Sequence, residues 1–298
     1  FWVNFHGGFC ENTYITWDDM EITWKWPGWY FRNNFDQSRV LIVNKYGFGH
    51  SETVQGAVDM VPENNSKRVK IYISPGIYRE KVIVPSTKPY ISFIGSPDDP
   101  SITKITWHDK ASDKIVINHT VVGEIGTVDT GSVTIYSDYF VATGITFENT
   151  VIAVEGEEGA QAVALRLSGD KAMLYKVRIV GSQDTLLDDR GSHYFYQCYI
   201  EGFVDFIFGT AKSLYQDCHL RSTAKHTGSI AAHHRDSPDD TGFSFINCTI
   251  DGTGNIYLGR AWGGYSRVVF SYCNISNIII PSGWTNWDKP LRYKLLTC

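Results

Sequence analysis

Residues 193–200 read HYFYQCYI, 213–220 read SLYQDCHL, 243–250 read FSFINCTI and 267–275 read RVVFSYCNI. Each phrase alternates apolar residues and runs into a cysteine. Cys198, Cys218, Cys248 and Cys273 follow one another at intervals of 20, 30 and 25 residues. Strand side chains repeat their face every second residue. Each phrase therefore reads as a short strand, and the cysteine marks the same strand position in all four. Units of roughly 20–30 residues that repeat in this way belong to solenoids, whose coils stack strand on strand. Working outward, AMLYKVRIV (172–180), AVALRLS (162–168), YFVATGITFEN (139–149), SVTIYS (132–137), KIVIN (114–118) and YISFIG (90–95) continue the pattern toward the N-terminus. Evenly spaced strands also suit a sandwich or a propeller. The aligned cysteines favour an all-β chain wound as a parallel β-helix. One helical period stands apart, SETVQGAVDMVPE from Ser51, with Ser51 as N-cap and Pro62 as stop. It predicts a short N-terminal helical cap. Residues 1–36 form a leader rich in tryptophan (Trp2, Trp17, Trp24, Trp26, Trp29). The leader is expected to pack on the open end of the solenoid, with carbohydrate stacking as the sharper alternative. The β-helix domain is expected to occupy residues 37–298.

Three further segments place polar residues about one coil apart: QAVALR from Gln161, SQDTLL around Asp184 and VDFIFG around Asp205, at offsets of 23 and 21 residues. Neighbouring strands lie about 4.8 Å apart, so an amide and two carboxylates would share one patch. Two carboxylates that close do not both ionise easily, which makes one a base and the other an acid at the same pH.

Composition excludes several classes. A net charge of −5 and a pI near 6.0 argue against a nucleic-acid partner. No apolar run approaches the roughly 20 residues needed to span a bilayer. The chain starts at Phe1 without a methionine or a signal-peptide pattern, which reads as a processed or trimmed N-terminus. N-x-S/T sequons begin at Asn64, Asn118, Asn247 and Asn274. Together with the cysteines they favour an oxidising, secreted setting. Four stacked cysteines allow three pairings. Cys198–Cys218 with Cys248–Cys273 is the expected set, and Cys218–Cys248 its competitor. Cys10 and Cys298 remain as free thiols or an end clasp. The absence of CxxC or Cys/His clusters argues against zinc. His233-His234-Arg235-Asp236 looks like a hydrolase cluster, but no serine nucleophile motif accompanies it, so it reads as loop surface.

GIYREKV from Gly76, QAVALR from Gln161, SQDTL from Ser182, VDFIFG from Val204 and YLGRAW from Tyr257 occur in that order. Together they resemble the pectin methylesterases, most closely the plant type, from about residue 40 to the C-terminus. The resemblance implies a right-handed parallel β-helix that removes methyl esters from polygalacturonate (pectin) without metal or cofactor. It implies an extracellular enzyme of the cell wall, and it makes a proteinaceous inhibitor a plausible partner. A monomer is expected. Carried over by motif, Asp205 is the nucleophile and Asp184 the general acid and then base. Gln161 and Gln183 form the oxyanion site, and Arg260 orients the nucleophile. Phe208, Trp262 and Trp284 line the cleft. The chain departs from the family pattern in YGFGHSETVQ from Tyr46, in LGRAW where LGRPW is commoner, and in Leu186-Leu187, where an aromatic residue often follows QDT.

The chemistry is coherent without the resemblance. Ester hydrolysis needs a nucleophile, a proton for the departing methoxide and donors for the oxyanion. Arg260 beside Asp205 would favour its charged form, while a neighbouring negative charge and apolar surroundings would keep Asp184 neutral. Two rival functions remain at this level: another polyuronide enzyme on the same fold, a lyase or a glycosidase, and a catalytically silent wall-binding module.

Overall fold

The chain is seen here as a computed structural model that describes residues 14–23 and 33–287. Val40–Val43 (VLIV), buried along its whole length, starts a stack of parallel strands. Each coil contributes up to three strands. The first row is a nine-stranded sheet: Val40–Val43, Val69–Ile73, Ile91–Ile94, Val141–Thr143, Ala172–Tyr175, Ser192–Tyr196, Lys212–Gln216, Gly242–Ile246 and Val268–Ser271. The other two rows form one fourteen-stranded sheet, because His219–His233 and Thr249–Arg260 run without interruption from one row into the other. All inter-coil pairing is parallel. The parallel β-helix expected from the cysteine phrases is the fold observed.

Alternation places one side of every strand inside the coil. There the side chains stack on their equivalents one coil away. Phe195, Tyr215, Phe245 and Phe270 are in register. Their rings stack at 4.4, 4.6 and 4.5 Å between centroids. Three residues on from Phe195, Tyr215, Phe245 and Phe270, the four cysteines form a second column.

That column corrects the disulfide expectation: all four cysteines are free. In-register parallel strands aim their Cβ atoms the same way, so the thiols stand as a column, one per coil, each interacting with its neighbours as a free thiol. Each thiol donates to a carbonyl of the preceding coil: Cys198 to Leu174, Cys218 to Phe195, Cys248 to Tyr215 and Cys273 to Phe245, at 3.4–3.6 Å.

Other expectations shift in detail. The helix is Val54–Met60, and its N-cap is Thr53, whose side chain accepts from Gly56 N–H. Ser51 instead hydrogen-bonds Thr53 from outside the helix. Val54, Ala57 and Val58 are buried and cover the first coils. KIVIN does not join the solenoid. Lys114–Ile117 pairs antiparallel with Thr120–Glu124 in an exposed hairpin. The leader's described part divides: Phe35, in the short helix Phe35–Ser38 just ahead of the first strand, packs on the core, whereas the earlier turn lies elsewhere. Trp17–Met20 forms one 3-10 turn whose Trp17 ring meets Tyr175 edge-on at 5.3 Å, on the outer side of the nine-stranded sheet. Asp19 pairs with Arg68 at 3.3 Å. Trp2, Trp24, Trp26, Trp29, Cys10 and Cys298 lie outside the described residues.

Candidate active site

The third row of strands, Leu165–Leu167, Leu186–Asp188, Ile207–Gly209 and the ends of the two long strands, carries the site. Just ahead of it, Gln183 bridges Val204 in parallel register and Asp184 N–H donates to Val204 O at 3.2 Å. Asp184 and Asp205 are thus direct neighbours on adjacent coils. Both lie in the left-handed region, with φ of 57° and 46°. Aspartate is among the few residues that tolerate this backbone. Gln161 comes close but not into the same register. Leu165 pairs with Leu186, which sets Val163 opposite Asp184, so Gln161 enters from two residues earlier. Ala162 N–H donates to Gln183 O at 3.1 Å and ties the two glutamine segments together.

Asp205 is buried, 4% exposed, yet well supplied with donors. Arg260 Nε donates to its Oδ1 and Oδ2 at 2.8 and 3.1 Å, and Arg260 Nη2 donates to Oδ2. Ser229 Oγ donates to Oδ1 and accepts from the Asp205 N–H at 3.1 Å. The register explains both contacts. Ile207 pairs with Ala231, which puts Ser229 one coil beyond Asp205. Ala231 pairs with Gly259, which puts Arg260 beside Ala232, two coils beyond Phe208. Small Ala232 leaves the arginine room to reach back.

The two carboxylates differ sharply in environment. Asp184 is half-buried, and its carboxyl group makes no hydrogen bond to the described residues. Burial, then the charge of Asp205, push it well above the usual carboxylate range, against a smaller pull from Arg260. Arg260 is itself held above its ordinary value: burial opposes this, but the hydrogen bonds and charge of Asp205 prevail, helped by Asp184. The side-chain amides of Gln161 and Gln183 are half-buried and make no hydrogen bond among the described residues. They are neutral donors at any working pH.

Around this centre lies an apolar group of Val163, Leu187, Phe208 and Ala232, packed under Trp287. Trp262, 36% exposed, stands 6.2 Å from Phe208 and 4.6 Å from the His234 ring. Trp284 is placed elsewhere: its ring rests on Gly259 and lies 6.1 Å from Phe270, against the core. Trp287 is the tryptophan over Arg260, 3.7 Å from guanidinium carbon to ring centroid. Gly259 pairs with Trp284 and Arg260 with Thr285. The pairing puts position 285 on the arginine's side and 284 on the other, and Trp287, past the strand end with a φ of 55°, turns over the arginine. Ser229 was also missed. Its signal is the offset of 24 residues from Asp205, again one coil.

The HHRD segment is loop surface only in part: Asp236 is exposed beyond the strand end, but His233 and Arg235 are buried. His233 ends a strand, fully buried, and accepts from Arg267 N–H at Nδ1. Burial lowers it to about 4, so the ring is neutral. Arg235 is buried against Asp239 and the Tyr265 carbonyl. His234 borders Trp262. Among the described residues no group of three or more His, Cys, Asp or Glu could hold a metal ion.

Comparison with known proteins bears on the family and the fold. The pectinesterase family model matches residues 40–297. Pectinesterase QRT1 of Arabidopsis thaliana is 65% identical over 257 residues, covering 86% of this chain and 67% of that protein. Probable pectinesterase 8 of the same plant is 44% identical over 267 residues, covering 86% and 65%. The chain thus spans about two thirds of the length of these relatives. The structure of a pectin methylesterase from carrot superposes with a TM-score of 0.77 at 33% identity, covering 86% of this chain and 79% of that one.

Proposed function

Because the chain belongs to the pectinesterase family, we infer that it is a carboxylic ester hydrolase acting on the methyl esters of pectin, with Asp205 as nucleophile and Asp184 as acid and base. The observation that carries the reading is the asymmetry of two neighbouring aspartates. One is clamped by Arg260 and Ser229; the other is half-buried beside that charge with no donor to its carboxyl group among the described residues.

Asp205 attacks the ester carbonyl carbon. Its charge passes to the carbonyl oxygen, and the amides of Gln161 and Gln183 are suitably neutral donors to receive it. Protonated Asp184 gives its proton to the departing methoxide, and methanol leaves. The acyl-enzyme is an anhydride between Asp205 and the uronate. Asp184, now a carboxylate, takes one proton from water as the hydroxide adds to the acyl carbon; the intermediate collapses with the Asp205 carboxylate as leaving group, and the uronic acid released gives its remaining proton to solvent. Both residues return to their starting protonation. Carboxylates on adjacent strands are closer than the roughly 6.5–9.5 Å an inverting glycosidase needs to admit water between them, which supports the esterase over that rival. The reading places the enzyme in the cell wall, where a proteinaceous inhibitor could bind the cleft. The sequon asparagines Asn64, Asn118, Asn247 and Asn274 are all exposed, as glycosylation in a secretory route requires. Among the described residues no helix is long and apolar enough to cross a membrane.

The test is methanol release from methylated pectin by the wild type and by Asp205→Asn. The wild type should release it and the variant should lose nearly all activity while keeping its melting transition. Retention of more than about one per cent of the rate, on the usual scale of such losses, would remove Asp205 from this role.

A further inference from the structure

Residues 151–155 form a strap alongside the site. The strap is anchored at each end to segments that carry site residues. Ser182 Oγ, one residue before Gln183, donates to Val151 O at 2.8 Å. At the other end the Glu155 carboxylate accepts from the backbone N–H groups of Lys225 and His226, on the strand that carries Ser229. Ser182 and Lys225 lie two coils apart, about 10 Å at the usual strand spacing. Four extended residue steps cover about 13 Å, so the strap crosses the coils of Asp184, Asp205 and Ser229 nearly straight. The return limb is held as well. Glu157 pairs with Lys110 at 2.8 Å, Ser112 N–H donates to Gly159 O, and Ala111 N–H donates to Gln161 O.

Within the strap Ala153 packs on the core, whereas Ile152 and Val154 are 88% and 64% exposed. In an extended segment alternate side chains share a side. Two branched aliphatic groups therefore stand out together beside the catalytic row. Contiguous apolar surface rimmed by polar residues is the form that ligand-binding grooves take. The same segment brings Glu155, Glu157 and the exposed Glu158. Glu157 is paired with Lys110 and Glu155 with backbone N–H groups, so a uronate carboxylate beside the strap would meet aliphatic surface and the charge of Glu158, while a uronate methyl ester is neutral and offers a methyl group.

We propose that Ile152 and Val154 form an apolar wall of the substrate cleft that contacts the methyl esters of uronates flanking the one hydrolysed, so that the enzyme selects densely methylated stretches. This rests on the esterase reading above. Burying one methyl-sized group is worth about fourfold in an equilibrium constant, so losing two such contacts corresponds to roughly tenfold or somewhat more.

The experiment measures initial methanol release from homogalacturonan of high and of low methylation, with wild type, Ile152→Ser/Val154→Ser and the conservative Ile152→Leu/Val154→Leu. The wild type should prefer the dense substrate. The serine pair should lose about tenfold in that preference, through KM on the dense substrate and not kcat, and the leucine pair should retain it. An unchanged preference, or an equal fall on both substrates, overturns the proposal while leaving the esterase intact. No methanol from either substrate with the wild type overturns the esterase reading, and this one with it.

Discussion

Removing Arg260 should destabilise the protein mainly by stranding a charge, and a second mutation should undo most of the damage. The Asp205 carboxylate is 4% exposed and takes three hydrogen bonds from the guanidinium. In Arg260→Ala it would keep only Ser229 as a side-chain donor. Breaking a buried pair from one side costs about 3–5 kcal/mol, because the remaining charge is uncompensated. At about 2.1 cal/mol/K per residue the unfolding entropy of 298 residues is about 0.6 kcal/mol/K, so the melting temperature should fall by about 5–8 °C. Asp205→Asn alone leaves a guanidinium that is 27% exposed and stacked on Trp287, and should cost far less. Combined with Arg260→Ala it removes the stranded charge and should recover most of the loss. Calorimetry of the four proteins at one pH and salt concentration gives the coupling directly. If the double variant melts as low as Arg260→Ala, the cost comes from lost packing of the arginine stem, and the electrostatic account fails.

Other outcomes follow from the same geometry. Asp184 is raised by burial and by Asp205, so it stays protonated at pH values where a free aspartate would ionise. Activity should therefore have a basic limb where pH passes its raised value, and Asp184→Asn should abolish that limb with most of the rate, recovering partly on esters with good leaving groups; an unchanged limb would show that another group is the acid. Ser229→Ala removes a hydrogen bond to a charged group, worth about 1.5–3 kcal/mol, and should lower kcat about 10–100-fold while sparing KM; a change in KM alone would make Ser229 a binding residue. His193 is buried with Nδ1 2.5 Å from Asp188 and Nε2 2.7 Å from Gly169 O, and Tyr215 OH also donates to Asp188. Burial alone would lower His193, but the charge and hydrogen bond of Asp188, the Gly169 carbonyl and the charge of Asp170 raise it. Its contribution should be complete below the unfolded histidine value of about 6.5 and lost as pH rises through the raised folded value. His193→Gln should flatten the melting temperature across that window, and an unaltered profile would mean that the ring is not charged.

The fold was legible because a parallel β-helix repeats its side-chain environment at coil length. The cysteine phrases, and the offset of 21 residues between Asp184 and Asp205, report that repeat directly. Residues whose neighbours come from the register itself were therefore the easiest to place. Two kinds of information were not legible. One is which way a side chain leaves its strand near an irregular end, which separates Trp284 from Trp287. The other is whether equivalent side chains can bond as well as stack, which decides the cysteines. KIVIN failed differently. Its local pattern is a good strand, but nothing in the pattern says which partner it takes. His233 and Arg235 read as polar loop because polarity is a poor guide to burial when a coil supplies internal partners.

The two long strands His219–His233 and Thr249–Arg260 turn a corner of the coil as continuous strands, their pairing shifted by a bulge between Thr223 and Thr227. Coils of a solenoid touch only their neighbours, so local opening spreads one coil at a time. Across this corner, however, each strand carries amides of both rows, and the pairing resumes past the bulge, so opening one row strains the other. Ser229 and Arg260 both sit on those strands. Native-state hydrogen exchange should therefore be slowest there, and the clamp on Asp205 should outlast the coils on either side as the molecule frays or is pulled from its ends.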